Sequence, residues 1–199
     1  ITNQGDNVFL GYQAGKSNQY YQSVLIGSGA GRDLVSWRAI AIGYTAMQEN
    51  TGYTVGDVAI GYGAMRYKNA SFGESIAIGK MTMQGNSDDS STGNRNICIG
   101  SYGLQNYTSA FFNITLGNNA GFSITEGDNN VLIGESAGTS ITTSSNNTAM
   151  GYQSLYANTT GAENVAVGKD ALRTNTTGST NTALGRMASY SNTTASNNV

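Results

Sequence analysis

The segment Asn164-Val165-Ala166-Val167-Gly168 indicates the fold, because its pattern recurs along the whole chain. Each copy starts with Asn, Ser, Asp or Ala. An aliphatic residue or Thr follows, then a small or apolar residue, then an aliphatic residue or Met, and finally glycine. Eleven copies are present, ending at Gly11, Gly27, Gly43, Gly61, Gly79, Gly100, Gly117, Gly134, Gly151, Gly168 and Gly185. The position numbers of these glycines increase in steps of 16, 16, 18, 18 and 21, and then in five steps of 17. A repeat architecture must therefore be considered first.

A repeat of about 17 residues is too short for a pair of helices, which needs over thirty residues. It fits one coil of a β-solenoid with two short strands and two turns. Glycine allows positive φ where the first strand turns, and Asn at matching places in successive coils can form hydrogen-bonded ladders. The sequence therefore predicts an all-β parallel β-roll that forms a single repeat array over residues 1–199. Because both ends fall inside a repeat, we expect a fragment of a longer fibre.

The motif strand also indicates an oligomer. Side chains alternate between the two faces of a strand, so Val165 and Val167 share one face and Ala166 lies on the other. We expect the outer pair to fill the core of the coil. The middle position is also apolar or small in every copy, which is typical of a strand covered on both faces, and we expect two identical chains to cover it in a homotrimer. The predicted interchain residues are Phe9, Leu25, Ala41, Ala59, Ala77, Cys98, Thr115, Leu132, Ala149, Ala166 and Ala183.

These motifs resemble the head repeats of trimeric autotransporter adhesins of the YadA type. That family's pattern of Asn/Ser, Ser/Ala, Val, Ala, Ile and Gly is close to Asp57-Val58-Ala59-Ile60-Gly61 and Ser75-Ile76-Ala77-Ile78-Gly79. The resemblance covers essentially the whole chain, and it implies a left-handed parallel β-roll with three chains side by side. The Asn-Thr-Thr-Gly sequences at 158–161 and 175–178 also resemble shaft repeats of bacteriophage tail fibres.

Composition argues against several function classes. Charged residues make up 11% of the chain and the net charge is −2, without the basic patch of a nucleic-acid-binding protein. No apolar run is long enough for membrane insertion. Histidine, the usual general base, is absent, and Asp88 and Asp89 are neighbours that would point apart on a strand. The segment Gly127-Asp128-Asn129 lacks the acidic ligands of a calcium site, so we expect neither catalysis nor a metal or other cofactor.

Aromatic residues are the remaining functional candidates. Tyr20, Tyr21, Trp37, Phe111 and Phe112 lie between the motifs. They either fill the core face of the second strand or contact the receptor by stacking on sugar rings of a host surface glycan. A different set directly follows the motif glycine and predicts a stacked ladder between coils: Tyr12, Tyr44, Tyr62 and Tyr152.

The sequence as a whole predicts a structural and adhesive segment of an extracellular trimeric fibre that binds a host glycan or protein. A viral tail fibre is the leading interpretation, and a bacterial surface adhesin is the alternative. An ice-binding solenoid ranks lower, because it needs a flat, regular array of threonines and threonine looks irregular along this chain.

Overall fold

A computed structural model describes residues 5–17, 22–69, 73–85, 87 and 91–199. Within these residues the chain forms strands and turns and no helix. The strands are β1 (Val8–Leu10), β2 (Val24–Ile26), β3 (Ser36–Trp37), β4 (Ile40–Ile42), β5 (Thr54–Val55), β6 (Val58–Ile60), β7 (Ile76–Ile78), β8 (Ile97–Ile99), β9 (Ile114–Leu116), β10 (Val131–Ile133), β11 (Thr148–Met150), β12 (Val165–Val167) and β13 (Thr182–Leu184).

The eleven motif strands form one parallel sheet in the order β1-β2-β4-β6-β7-β8-β9-β10-β11-β12-β13. Each coil adds its strand beside that of the preceding coil, and equal motif positions pair, as Val131 does with Thr148. Strands β3 and β5 form a separate two-stranded parallel sheet. The repeat spacing therefore correctly predicts a parallel β-solenoid.

Most of the described coils have no second strand, so the prediction of two strands in every coil is wrong. Strands β3 and β5 supply it in two coils, and elsewhere in the described chain the other wall consists of tight turns. Residues two and four places after the motif glycine take left-handed backbone, as in Gln153 (φ 52°) and Leu155 (φ 50°). Hydrogen bonds still join the coils along this wall, because the Leu155 N–H donates to the Ala171 carbonyl at 3.0 Å.

The motif glycine is required for stacking as well as for turning. Gly134 has φ +130°, and a Cβ added there would lie 2.6 Å from the carbonyl oxygen of Gly151 in the next coil. That distance is far below van der Waals contact. The coils can therefore approach to hydrogen-bonding distance only where the side chain is a hydrogen atom.

The middle strand residues face the chain's own interior, which reverses the predicted orientation of the sheet. Ala149 and Ala166 are fully buried within one chain, whereas the outer residues Leu10 and Leu184 are 65% and 68% exposed. A residue enclosed by its own coil cannot contact a neighbouring chain. The predicted interchain set is therefore wrong, and its members lie in or against the single-chain core: Phe9, Leu25, Ala41, Ala59, Ala77, Cys98, Thr115, Leu132, Ala149, Ala166 and Ala183.

The interior is narrow, so its two walls are matched in size. The side chain of Leu132 lies opposite Gly138, where an added Cβ would come within 2.9 Å of it. Where the strand residue is small, as at Ala149, the position six residues later is large, as at Leu155, and both are buried. Close packing of one large and one small side chain at each level explains why alanine is frequent in the strand.

An asparagine ladder, as predicted, closes one side of the core. The Asn130 Oδ1 accepts the Asn147 N–H at 3.0 Å, and its Nδ2 donates to the Asn113 Oδ1 at 3.0 Å. A second ladder includes the bond from the Asn175 Nδ2 to the Asn158 Oδ1 at 2.9 Å. It adjoins the first, because Asn164 and Asn175 both donate to the Gly178 carbonyl. These amides are buried, so the ladders satisfy polar groups that would otherwise lack partners.

Candidate interaction surface

One face of the eleven-stranded sheet is an apolar strip that the single chain leaves partly uncovered. It consists of the first and third residue of every motif strand, and all but Thr148 and Thr182 are aliphatic or Met. Exposure is 54% at Val8, 42% at Ile99 and 41% at Met150. The apolar strip comprises Val8, Leu10, Val24, Ile26, Ile40, Ile42, Val58, Ile60, Ile76, Ile78, Ile97, Ile99, Ile114, Leu116, Val131, Ile133, Thr148, Met150, Val165, Val167, Thr182 and Leu184.

Two rows of residues, one at each end of the motif strands, border the strip. The start row, two residues before each motif strand, is exposed throughout and consists of Asp6, Gln22, Arg38, Gly56, Glu74, Arg95, Phe112, Asn129, Asn146, Glu163 and Thr180. The end row, directly after each motif glycine, is exposed apart from two partly covered serines and consists of Tyr12, Ser28, Tyr44, Tyr62, Lys80, Ser101, Asn118, Glu135, Tyr152, Lys169 and Arg186.

Contacts along the end row hold several side chains beside the strip. The rings of Tyr44 and Tyr62 stack with centroids 5.4 Å apart and planes at 15°, which confirms the predicted tyrosine stacking for this pair. Further along, the Lys169 Nζ lies 5.3 Å from the ring centroid of Tyr152. The row therefore mixes stacked aromatic rings with cations at defined coils.

The start row carries a small charged and aromatic cluster. The Arg95 Nε donates to the Glu74 Oε2 at 2.9 Å. The Arg95 guanidinium carbon also lies 5.6 Å from the ring centroid of Phe112. Arg95 and Phe112, together with Asn94 and Phe111, line a shallow depression of about 320 Å³.

The predicted receptor-contact aromatics do not form one site. Trp37 is 36% exposed and Phe112 is 50% exposed, so for these two the core-filling alternative is wrong. Trp37 and Phe111 occupy the same place in coils four steps apart, a separation of about 19 Å at about 4.8 Å per coil. Tyr20 and Tyr21 lie outside the described residues.

A threonine column runs along the solenoid outside the strip, and the sequence reading missed it. Its members recur at a constant step of 17 in the numbering, so the regular array was visible in the sequence once the coils were aligned on their glycines. The Thr159 hydroxyl donates to the Thr176 carbonyl at 3.0 Å, and the Thr176 hydroxyl donates to the Thr193 carbonyl at 3.0 Å. These donors are used to join coils. The column consists of Thr108, Thr125, Thr142, Thr159, Thr176 and Thr193.

Interior ionisable groups are closed to solvent. The Lys68 Nζ donates to the Asp57 Oδ1 at 2.9 Å, and both side chains are completely buried. Burial lowers the pKa of Lys68, and the Asp57 carboxylate opposes that shift. Burial raises the pKa of the Cys98 thiol to about 12, against a smaller lowering by the hydrogen bond from Thr115. These groups are inaccessible to a substrate, and their role is structural.

The described residues contain no group of His, Cys, Asp and Glu side chains that could hold a metal ion. Asp128 is the single acidic residue of the segment Gly127-Asp128-Asn129, which the sequence analysis considered as a calcium site. Its Oδ1 accepts the Phe111 N–H at 2.7 Å. Asp88 and Asp89 lie outside the described residues. No helix in the described chain is long and apolar enough to cross a membrane.

Comparison of the chain with protein-family models, curated proteins and solved structures gave no match. The fold defines the class of the chain, which is a parallel β-solenoid repeat protein with an apolar strip along one face.

Proposed function

We propose that this chain is a structural and adhesive segment of an extracellular homotrimeric fibre, most closely of the bacteriophage tail-fibre type. The observation that carries the proposal is the apolar strip. Eleven strands at about 4.8 Å make it about 50 Å long, and three residues at about 3.3 Å make it about 10 Å wide. The resulting area of about 500 Å² is at the upper end of the apolar patches that soluble monomers expose.

Identical parallel chains are the partners that can cover the strip. The strip repeats with each coil and runs the whole length of the sheet, so a partner must offer an apolar line of the same length and spacing. Another copy of the chain does so. In a closed ring around an axis parallel to the solenoid, every chain buries its strip and none is left over. Three chains with left-handed coils, as the family resemblance implies, complete the proposal.

The depression beside Phe112 supports the adhesive part of the proposal. An exposed aromatic ring next to an Arg–Glu pair offers a stacking surface and charged hydrogen-bonding groups, which suits a host surface saccharide. Because Phe112 and Arg95 belong to the start row, a trimer places three copies of this depression at the boundaries between neighbouring chains. Three weak contacts made together give useful avidity.

Two alternatives use the same fold. A bacterial surface adhesin of the autotransporter type would need the same homotrimer. An ice-binding solenoid gains support from the regular threonine column. It still ranks lower, because the column's hydroxyls already donate to carbonyls of the chain.

Sedimentation analysis tests the trimer. The purified protein should sediment with three times the mass of the single chain, which is 20.7 kDa. Val167→Glu, which puts a charge on the strip, should give a monomer with an unchanged far-ultraviolet circular dichroism spectrum. Thr160→Glu is the matched control, since Thr160 is exposed in the same coil but outside the sheet, and it should remain trimeric. A monomeric parent chain, or a Val167→Glu variant that stays trimeric, would overturn the proposal.

A further inference from the structure

The apolar strip by itself specifies the alignment of neighbouring chains poorly. Successive coils present nearly the same pair of aliphatic side chains, so sliding one chain by a coil loses only one of eleven contact levels. A uniform slide between identical chains also prevents ring closure and generates an open helical assembly. A closed fibre therefore needs a feature that differs from coil to coil.

The two bordering rows differ in this way. They lie at opposite ends of the motif strands, so chains arranged around a common axis place the start row of one chain against the end row of the next. In a closed ring, row members from the same coil meet. Two coils then bring opposite charges together: Glu74 faces Lys80 of the next copy, and Glu163 faces Lys169 of the next copy.

These pairs cannot form within one chain. Glu163 and Lys169 are separated by the full length of β12 and lie beyond its two ends. Six residues of largely extended chain span about 15–20 Å, well beyond salt-bridge range. The Lys169 ammonium is meanwhile held over the Tyr152 ring, beside the strip.

Staggered arrangements lose both pairs. A slide of one coil in one direction places Arg95 against Lys80, two like charges, and leaves Glu163 against Tyr152. A slide in the other direction also breaks both pairs and brings together one new opposite pair, Glu163 with Arg186. Only the register in which equal coils of neighbouring chains meet gives two pairs of opposite charge and no pair of like charge.

We propose that Glu74 with Lys80, and Glu163 with Lys169, form ion pairs between neighbouring copies of this chain and set the register of the fibre. This inference rests on the proposed homotrimer and adds the device that aligns its members. The Glu163–Lys169 pair gives the cleaner test, because Glu74 already binds Arg95 within the chain.

Disulfide trapping tests the register. The background is Cys98→Ala, since alanine occupies the same core position in six other coils. Glu163→Cys with Lys169→Cys should convert on oxidation to a covalent three-chain species on non-reducing electrophoresis. The matched controls are Glu163→Cys with Arg186→Cys and Glu163→Cys with Tyr152→Cys, which sample a slide of one coil in either direction. Both should give at least tenfold less three-chain product, because bonded Cα atoms must lie within about 7 Å.

A charge exchange shows that the ions themselves select the register. Glu163→Lys or Lys169→Glu alone should broaden the trimer into larger species in sedimentation. Glu163→Lys combined with Lys169→Glu should restore a single trimer peak. Preferential trapping by either control pair, or a trimer unaffected by the single charge reversals, overturns the register inference and leaves the homotrimer standing. A parent chain that is monomeric in sedimentation overturns both.

Discussion

Replacing Asn130 by alanine should destabilise the solenoid through its buried asparagine ladder. The side chain accepts the Asn147 N–H at 3.0 Å and donates to the Ser144 carbonyl at 3.0 Å. Alanine leaves the Asn147 N–H and the Ser144 carbonyl without a partner. The two amide–amide bonds of the ladder are lost as well, whereas the Asn113 Oδ1 still accepts the Asn130 backbone N–H. A buried polar group left without a partner costs about 1–3 kcal/mol, so two such groups should lower the free energy of unfolding by about 3–4 kcal/mol.

Urea unfolding followed by circular dichroism measures this loss. With a slope of about 3 kcal/mol per molar urea, the midpoint for Asn130→Ala should fall by about 1 M. Asn130→Ser is the matched control, since Ser75 occupies the same ladder position and its hydroxyl accepts the Asn96 N–H at 3.3 Å. It should lose about half as much. The exposed control Asn118→Ala should change stability by less than about 0.5 kcal/mol.

The ladder argument fails if Asn130→Ala is as stable as Asn118→Ala. It also fails if Asn130→Ser is less stable than Asn130→Ala, because serine keeps an acceptor that alanine lacks.

Three further outcomes follow from other residues. Burial raises the pKa of Cys98 from 9.0 to about 12, so an unfolded thiol ionises first and stability falls as pH rises from 9 towards 12. Cys98→Ala should remove about 2.7 kcal/mol of that loss at pH 11, and an equal loss of stability at high pH in both proteins would refute the prediction. Lys68→Met leaves the Asp57 carboxylate buried and unpaired, at a cost of about 3–5 kcal/mol in urea unfolding. Adding Asp57→Asn should recover most of this cost by restoring a neutral ladder amide, and no recovery would contradict the ion-pair reasoning. In glycan-array binding by the purified protein, Phe112→Ala should reduce the signal at least tenfold, with Trp37→Ala as the comparison. Unchanged binding by Phe112→Ala would exclude the depression as the glycan site.

The candidate site was only partly predictable. The sequence singled out Phe111 and Phe112, which the fold places in one depression with Arg95, but it could not separate them from Trp37, since distance across coils depends on the rise of the solenoid. The threonine column was overlooked because Thr108 and Thr125 were not aligned on the motif glycines. That alignment needed only the sequence.

Coil length, parallel strand order and strand register were determined by the sequence alone. The recurrent motif glycine fixes where each coil repeats, and equal motif positions must then pair, as Val131 pairs with Thr148. The recurrent Asn predicted the ladder for the same reason. These properties depend on spacing along the chain, which a sequence displays directly.

Which face of the sheet points inwards is visible in the folded chain and not in the sequence. Alternation assigns Ala149 to one face and Met150 to the other, but both residues are apolar, so hydrophobicity could not choose between the faces. The choice follows from the opposite wall, where Leu155 lies across from Ala149 and Gly138 across from Leu132. Leu155 reaches the interior through left-handed backbone at φ 50°, a conformation that bulky residues seldom adopt. The left-handed backbone at Leu155 is held by contacts between neighbouring coils and not by a local preference. Neither strand nor helix periodicity in the sequence therefore indicates that Leu155 faces the interior.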